Sequence, residues 1–158
     1  MWLAFLVLAI AIGVGVYFGV KQGKVTKQLY AEGKIIARPG RFAEKGEEFT
    51  SKIGTMQALS DALKSMYLPC KMEGNTGEVR FTSEKFTAHL VRDKFDEPSG
   101  IAVYRFEFTS WKTNNGMYVE GTAMNALMTS VEKTFLSLDP NTGVKTYEID
   151  FKTKHNIF

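Results

Sequence analysis

The sequence predicts a single N-terminal transmembrane helix followed by a soluble α+β domain, in which an antiparallel meander sheet carries two helices on one face. Three patterns support this fold class. Residues 2–20 carry no charged side chain. Farther along, short runs of alternating apolar residues are separated by turn residues, as in antiparallel strands. Two longer stretches, before and after these runs, repeat apolar residues at the spacing of an amphipathic helix. We therefore divide the chain into a membrane anchor (1–20), a basic juxtamembrane linker (21–46) and an α+β domain (47–158).

The predicted anchor is an uninterrupted apolar run from Trp2 to Val20, which reads WLAFLVLAIAIGVGVYFGV. At a helical rise of ~1.5 Å per residue it spans ~28 Å, close to the ~30 Å hydrocarbon core of a bilayer. A cleaved signal peptide would need a positively charged start, a shorter apolar stretch and a cleavage site between small residues. No basic side chain precedes Trp2, and the exit Gly-Val-Lys-Gln over 19–22 is a poor cleavage site. We therefore expect the helix to be retained.

Basic residues are concentrated immediately after the apolar run. Between residues 21 and 45 the chain has seven Lys and Arg residues and two Glu residues. Because loops rich in Lys and Arg stay on the cytoplasmic side, we expect a protein of the cell membrane whose C-terminal domain is cytoplasmic. Lys21, Lys24 and Lys27 follow the run most closely. They either serve only this topology or also bind the anionic headgroups of the lipid bilayer.

Small residues at helical spacing suggest a packing surface within the anchor. Ala11, Gly15 and Gly19 lie four residues apart, so they share one face of a helix and would let a second helix approach closely. This pattern indicates self-association, or packing against the helix of a membrane-associated partner. Glycine is also frequent in membrane helices in general, so a face without any partner is the alternative.

The first element of the predicted domain is an amphipathic helix that begins near Glu47. Glu47 and Glu48 would lie in its first turn, where acidic side chains complement the helix dipole. Its end is predicted at Leu68, because the residue before a proline disfavours helical backbone angles. The apolar residues of its buried stripe are Phe49, Ile53, Met56, Leu63 and Met66.

A meander of short strands is predicted next. The turn at 74–77 and the loop at 96–100 separate these strands, and the last of them is a long strand over 101–112. Asn114-Asn115-Gly116 predicts a hairpin turn, because Asn and Gly tolerate positive φ angles, so residues 117–121 should return antiparallel to the long strand. The apolar face would consist of Val79, Phe81, Phe86, Ala88, Leu90, Tyr104, Phe106 and Phe108. Alternation places Arg105, Glu107, Thr109 and Trp111 on the opposite face of the long strand.

A second helix is predicted from Thr122, a good N-cap residue, to a break at 139–143. A final strand follows, with Tyr147, Ile149 and Phe151 on one face. The order helix, strands, helix, strand is typical of an α+β domain, in which the helical stripes pack on the aromatic face of the sheet. The buried stripe of the second helix would consist of Met124, Leu127, Met128, Val131, Phe135 and Leu138.

The residue types that carry catalysis and metal binding are scarce. His89 is expected on the solvent side of a strand, His155 lies near the C-terminus, and the one cysteine, Cys70, has no histidine beside it. The sequence shows neither a Cys/His spacing typical of a metal site nor a glycine-rich phosphate loop. We therefore expect no catalytic residue, no metal and no cofactor. Residues 46–158 carry 13 basic and 15 acidic residues, a balance that argues against a nucleic-acid partner.

These features favour a single-pass membrane protein that acts without catalysis, as an adaptor or assembly subunit for a membrane-associated protein. Trp111 and Arg105 are the candidate partner contacts, because Trp and Arg are enriched where interfaces contribute most binding energy. Burial of Trp111 under its own loops is the alternative. A second hypothesis is a binding module for a lipid or small apolar ligand, held between the helices and the aromatic face. A third is a membrane-tethered hydrolase that uses Cys70 or His89.

Overall fold

The computed structural model describes residues 20–149, and the chain divides into two units, Met1–Ile35 and Ile36–Phe158. In the first unit, residues 20–31 form a helix, α1. This helix ends in a Schellman motif around Gly33, whose φ of 65° suits a residue without a Cβ atom. The Gly33 N–H donates to the Tyr30 carbonyl at 3.0 Å, and the Lys34 N–H donates to the Leu29 carbonyl at 2.8 Å.

The predicted membrane anchor falls almost entirely outside the described residues. Of the apolar run 2–20, only Val20 is described, and it lies in α1. The proposed packing face of Ala11, Gly15 and Gly19 lies outside the described range as well. Among the helices of residues 20–149, none combines the length and the apolar character needed to cross a membrane.

The second unit is an α+β domain built on an antiparallel sheet, which confirms that part of the predicted fold class. Its elements in chain order are a 3₁₀ turn Phe42–Glu44, β1 Lys45–Ser51, α2 Met56–Lys64, β2 Lys71–Gly74, β3 Glu78–Thr82, β4 Phe86–Asp96, β5 Ile101–Trp111, β6 Thr113–Asn114, β7 Met117–Tyr118, α3 Gly121–Leu138 and β8 Gly143–Glu148. The six-stranded sheet has the order β2-β3-β4-β5-β1-β8, and β6 and β7 form a separate hairpin. The first strand of the domain thus lies between β5 and β8, away from the strands that come next in the chain.

One face of the sheet and the helices α2 and α3 enclose a hydrophobic cluster. Phe49 of β1 stacks on Phe135 of α3, with ring centroids 4.2 Å apart and planes inclined by 3°. Tyr104 of β5 is the register partner of Phe49 and donates its hydroxyl hydrogen to the carbonyl of Ile53. The predicted apolar face is confirmed, since all its members are buried: Val79, Phe81, Phe86, Ala88, Leu90, Tyr104, Phe106 and Phe108.

The first helix is shorter than predicted, because residues 45–51 form a strand. The Glu47 and Phe49 side chains alternate with Glu48 along β1 and do not follow a helical stripe. The helix begins at Met56, after Thr55 accepts a hydrogen bond from the Ala58 N–H at 3.3 Å. The predicted helix start at Glu47 is therefore wrong. The predicted stripe combined Phe49 of β1 and Ile53 of the following loop with Met56 and Leu63 of α2. In the structure, Phe49 lies in a sheet strand and stacks on Phe135.

The expected exposure of Trp111 is also wrong. The register between β4 and β5 shifts, so that Thr87 faces Ser110 whereas Ala88 faces Phe108. This bulge leaves Thr109 as an extra residue and returns the Trp111 side chain to the core face. Trp111 is 8% exposed, and the ring of Tyr118 packs edge-on against it with centroids 6.1 Å apart. Trp111 is thus buried, as the alternative prediction has it, but in the core cluster of the apolar face and not under loops on the polar face.

The second helix and the hairpin before it agree with the sequence in part. Asn115 and Gly116 have φ angles of 49° and 76°, as the predicted turn requires. The returning segment pairs with Thr113–Asn114 and donates from the Val119 N–H to the Lys112 carbonyl at 3.0 Å, but it does not continue along β5. Helix α3 has Glu120 and not Thr122 before its first residue. The predicted stripe is buried except for Leu138, the last residue of the helix, which is 44% exposed.

Residues 21–46, predicted as an irregular linker, contain α1 and a segment that contacts the core. Ala43 is fully buried, and the Phe42 ring lies edge-on to Tyr118 and Phe108, at centroid distances of 5.2 Å and 6.3 Å. The glycines and the proline of this stretch therefore terminate and connect ordered elements.

Replacement of Phe49 tests the position of β1. We predict that Phe49→Ala lowers the free energy of unfolding by about 3–5 kcal/mol, because it removes a fully buried ring and leaves a cavity. The matched control is Phe95→Ala at a ring that is 44% exposed, which should cost less than about 1 kcal/mol. Denaturant unfolding of the full chain in detergent micelles gives both values. If Phe49→Ala and Phe95→Ala lower the free energy of unfolding equally, Phe49 is not in the core and the position of β1 is wrong.

Candidate functional site

The sequence-predicted site residues of the described range lie in different parts of the structure. Lys21, Lys24 and Lys27 are exposed on α1, in the first unit. Arg105 lies on the polar face of the sheet, as predicted, with 44% of its side chain exposed. Trp111 lies on the opposite, apolar face. Trp111 and Arg105 therefore do not form one contact surface.

Arg105 belongs to a network of polar side chains on the sheet face that the helices leave uncovered. Its guanidinium lies 3.5 Å from Glu48 Oε2 and 3.4 Å from Asp93 Oδ2. It also lies over the ring of Tyr147, 5.6 Å from the ring centroid. The Tyr147 hydroxyl donates to Glu107 Oε1 at 2.5 Å. Burial and the Glu107 carboxylate raise the pKa of Tyr147 above its usual range, so this phenol stays protonated and acts as a donor.

His89 lies in the same polar network, between two carboxylates. Its Nδ1 is 3.5 Å from Glu78 Oε1, and its Nε2 is 3.6 Å from Glu107 Oε2. These distances exceed the ~2.6–3.2 Å of a catalytic hydrogen bond, and the residue sits on the open face of a sheet. Cys70, the other residue of the hydrolase hypothesis, is half-buried, and burial raises the pKa of its thiol to about 11. A thiol with this pKa is a poor nucleophile at neutral pH, because it is not ionised.

An open cavity of about 360 Å³ lies at the end of the domain where α3 terminates. It is lined by Lys52, Ile53, Gly54, Ala58, Leu138, Asp139 and Pro140. The Asp139 carboxylate is already engaged, since it accepts hydrogen bonds from the Lys52 N–H at 2.8 Å and the Ser51 hydroxyl at 2.9 Å. The cavity is separate from the space between the helices and the aromatic face, which the core side chains fill.

A buried polar cluster joins residues 36–38 to β1 and α3. The Arg38 guanidinium forms a two-pronged contact with Glu132, with Nη1–Oε1 and Nη2–Oε2 distances of 3.1 Å and 2.8 Å. Nη1 also donates to Glu47 Oε1 at 3.3 Å. The Nε atom donates to Asn125 Oδ1 at 3.2 Å, and Nη2 donates to Thr129 Oγ1 at 3.3 Å. Only 8% of the Arg38 side chain is exposed. The four residues that accept its hydrogen bonds supply what a buried cation requires.

Glu47 has an unusual environment for a carboxylate. It lies on the core face of β1, where its register partners are Phe106 in β5 and Thr146 in β8. Its Oε2 atom is buried and has no hydrogen-bond partner among residues 20–149. Burial raises the pKa of Glu47 to about 9; the neighbouring Glu132 carboxyl group acts in the same direction, and Arg38 opposes them. This environment therefore favours the protonated form of Glu47.

The sequence alone does not reveal this cluster, because its pattern places Glu47 in a helix and Arg38 in a linker. One signal is nevertheless present. Asn125, Thr129 and Glu132 recur at spacings of four and three, and form a polar row beside the apolar stripe of α3. A polar row at the margin of a buried stripe predicts a polar partner from another part of the chain.

The described residues contain no group of three His, Cys, Asp or Glu side chains placed to hold a metal ion. Comparisons of the chain with family models, curated proteins and solved structures gave no match. The candidate site therefore consists of two features of the second unit: the buried cluster around Arg38 and the polar sheet face around Arg105.

Replacement of Arg38 tests the buried cluster. We predict that Arg38→Met lowers the free energy of unfolding by about 3–5 kcal/mol, because it leaves Glu132 partly buried without its cation. Arg38→Lys should recover part of this loss, since an ammonium keeps the charge but lacks the planar fork. The control is Arg41→Met, which removes an exposed ion pair with Glu44 and should cost less than about 1 kcal/mol. If denaturant unfolding shows that Arg38→Met lowers the free energy of unfolding no more than Arg41→Met does, the cluster does not stabilise the domain.

Proposed function

We propose that the chain is a single-pass membrane protein whose α+β domain acts, without catalysis, as an adaptor or assembly subunit on the cytoplasmic side. The observation that carries the proposal is the uncharged apolar run over 2–20, with Lys21, Lys24 and Lys27 directly after it. A run of this length matches the hydrocarbon core of a bilayer, and the lysines favour a cytoplasmic position for the domain on their C-terminal side. The exposure of all three lysines on α1 is consistent with contact to anionic headgroups.

The polar sheet face supports the adaptor part of this proposal. It presents Arg105, Glu48, Asp93 and Tyr147 on adjacent strands, in a network that the helices leave uncovered. Arg and Tyr are enriched in protein interfaces because each combines a large contact area with hydrogen-bonding groups. We therefore retain Arg105 as the proposed partner contact and withdraw Trp111, which lies in the core. The proposed partner is a membrane-associated protein with a polar surface of mixed charge.

A second candidate function is a binding module for a lipid or a small apolar ligand. The open cavity of about 360 Å³ at the end of α3 favours it, since ligand pockets begin at roughly 300 Å³. Ile53, Ala58 and Leu138 supply its apolar lining. This site differs from the one expected from the sequence, because the space under the helices is occupied by the core.

Extraction from membranes tests the anchor. We predict that the protein stays in the membrane pellet after high salt and alkaline carbonate, because an apolar span is held by the hydrophobic effect and not by charge. N-terminal sequencing of the mature protein should still find Trp2. Recovery in the supernatant, or a mature N-terminus near Lys21, would contradict the anchor.

Thiol labelling tests the sidedness of the domain. We predict that a Cys70→Ser, Ser99→Cys variant reacts with a membrane-impermeant maleimide only after the cells are opened, because Ser99 is exposed in the loop between β4 and β5. Replacing Lys21, Lys24 and Lys27 by Gln and placing lysines before Trp2 should invert the membrane topology of part of the molecules. If the Cys70→Ser, Ser99→Cys variant with Lys21, Lys24 and Lys27 unchanged is labelled in intact cells, the domain lies on the outer side of the membrane.

Photo-crosslinking tests the partner contact. A photoreactive residue at position 105 should form an adduct with one membrane-associated protein in intact membranes, whereas the same residue at position 64, on the exposed side of α2, should not. Arg105→Glu should weaken co-purification of that protein by at least tenfold, because it reverses the charge beside Glu48 and Asp93. Equal adducts from both positions, or unchanged co-purification, would exclude this face as the docking surface.

A further inference from the structure

We propose that Arg38, Glu47 and Glu132 together hold one exchangeable proton at neutral pH, and that loss of this proton loosens the attachment of residues 36–38 to β1 and α3. We call residues 36–38 the strap. This inference concerns the second unit alone and does not depend on the membrane anchor.

The charges within the cluster do not balance unless a proton is present. One guanidinium, from Arg38, faces two carboxyl groups, from Glu47 and Glu132. Glu132 forms the bidentate ion pair with Arg38. It is also the more exposed carboxyl group, with 19% of its side chain exposed against 5% for Glu47. Glu47 receives a single longer hydrogen bond of 3.3 Å. Glu132 is therefore the ionised partner of Arg38, and Glu47 carries the proton.

The charged groups that act on Glu47 come from two elements. Among the described residues, Arg38 of the strap and Glu132 of α3 are the ones that shift its titration. The residues beside it in the sheet, Phe106 of β5 and Thr146 of β8, are uncharged. An ionised Glu47 would consequently face an excess negative charge that these neighbours do not offset.

The strap is the part of the cluster that can yield. The strands and α3 are held by the core, in which Phe49 stacks on Phe135. The strap is held by Arg38 and by Ile36, whose N–H donates to Asn125 Oδ1 at 3.3 Å and whose carbonyl accepts from Asn125 Nδ2 at 2.7 Å. Because both attachments include Asn125 and Arg38 also contacts the carboxylates, hydration of an ionised Glu47 would displace the strap before it separated β1 from α3.

The direction of the pH effect is given by linkage. The attached state binds the Glu47 proton more tightly than a state in which Glu47 is hydrated, where its pKa returns to about 4.3. Raising the pH therefore favours detachment. One proton is involved, so the equilibrium constant for detachment of the strap should rise by at most about tenfold per pH unit. This rise is confined to the pH range between the Glu47 pKa values of the attached and the detached states.

Hydrogen exchange of the full chain in detergent micelles tests the proposal. The readout is the protection of the Ile36 amide, corrected for the intrinsic effect of pH on exchange, between pH 6 and pH 8. We expect wild-type protection to fall by about tenfold to a hundredfold over this range. Glu47→Gln, which keeps the shape of the protonated side chain, should have high protection that does not change with pH. The matched control Glu148→Gln, at a side chain that is 78% exposed, should behave like the wild type.

Two results would overturn the proposal. One is wild-type protection at Ile36 that is independent of pH, and the other is a Glu47→Gln variant with the same slope as the wild type. If Glu47→Gln does not fold, infrared spectroscopy of the wild type with labelled glutamate decides the question. A carbonyl band of a protonated carboxylic acid at pH 7, lost at higher pH together with Ile36 protection, would support the shared proton. Absence of this band at pH 7 would exclude it.

Discussion

Strand β1 is the element on which the rest of the domain depends, because its inward-facing side chains reach three separate parts of the structure. Glu47 contacts the buried guanidinium, Phe49 stacks on Phe135, and Ser51 donates a hydrogen bond to Asp139 at 2.9 Å. These three residues lie on one face because side chains alternate along a strand. Helix α3 is thereby attached to β1 over its C-terminal half, through polar contacts at Glu132 and Asp139 and an aromatic contact at Phe135 between them.

The same strand explains why the chain before the sheet is part of the domain. A glutamate on the core face of a strand is costly to bury unless it is neutral or paired. The strap supplies Arg38, and the proposed proton on Glu47 would remove the remaining excess charge. The domain thus begins at the strap and not at the sheet. In the proposed membrane protein, the length of chain between the anchor and the domain is correspondingly short.

The sequence predicted the α+β class and the aromatic face because both depend on local alternation and helical spacing. It failed at β1, where Phe49 lies at a helical spacing from Ile53 and Met56 although a long-range stack on Phe135 decides its structure. It also failed at Trp111, because a bulge at Thr109 reverses the alternation and short sequence patterns do not reveal bulges. The buried cluster could not be predicted for a related reason. Its members lie far apart in the chain, and only the fold brings them together.

The most direct test of the account is a double-mutant cycle between Arg38 and Glu132. Free energies of unfolding would be measured for the wild type, Arg38→Met, Glu132→Gln and the double variant. Direct contact in a buried environment predicts a coupling energy of about 1–3 kcal/mol, whereas the exposed pair Arg41 and Glu44 should give less than about 1 kcal/mol. Additive effects at Arg38 and Glu132, within about 0.5 kcal/mol, would contradict the conclusion that this cluster attaches the strap to the domain.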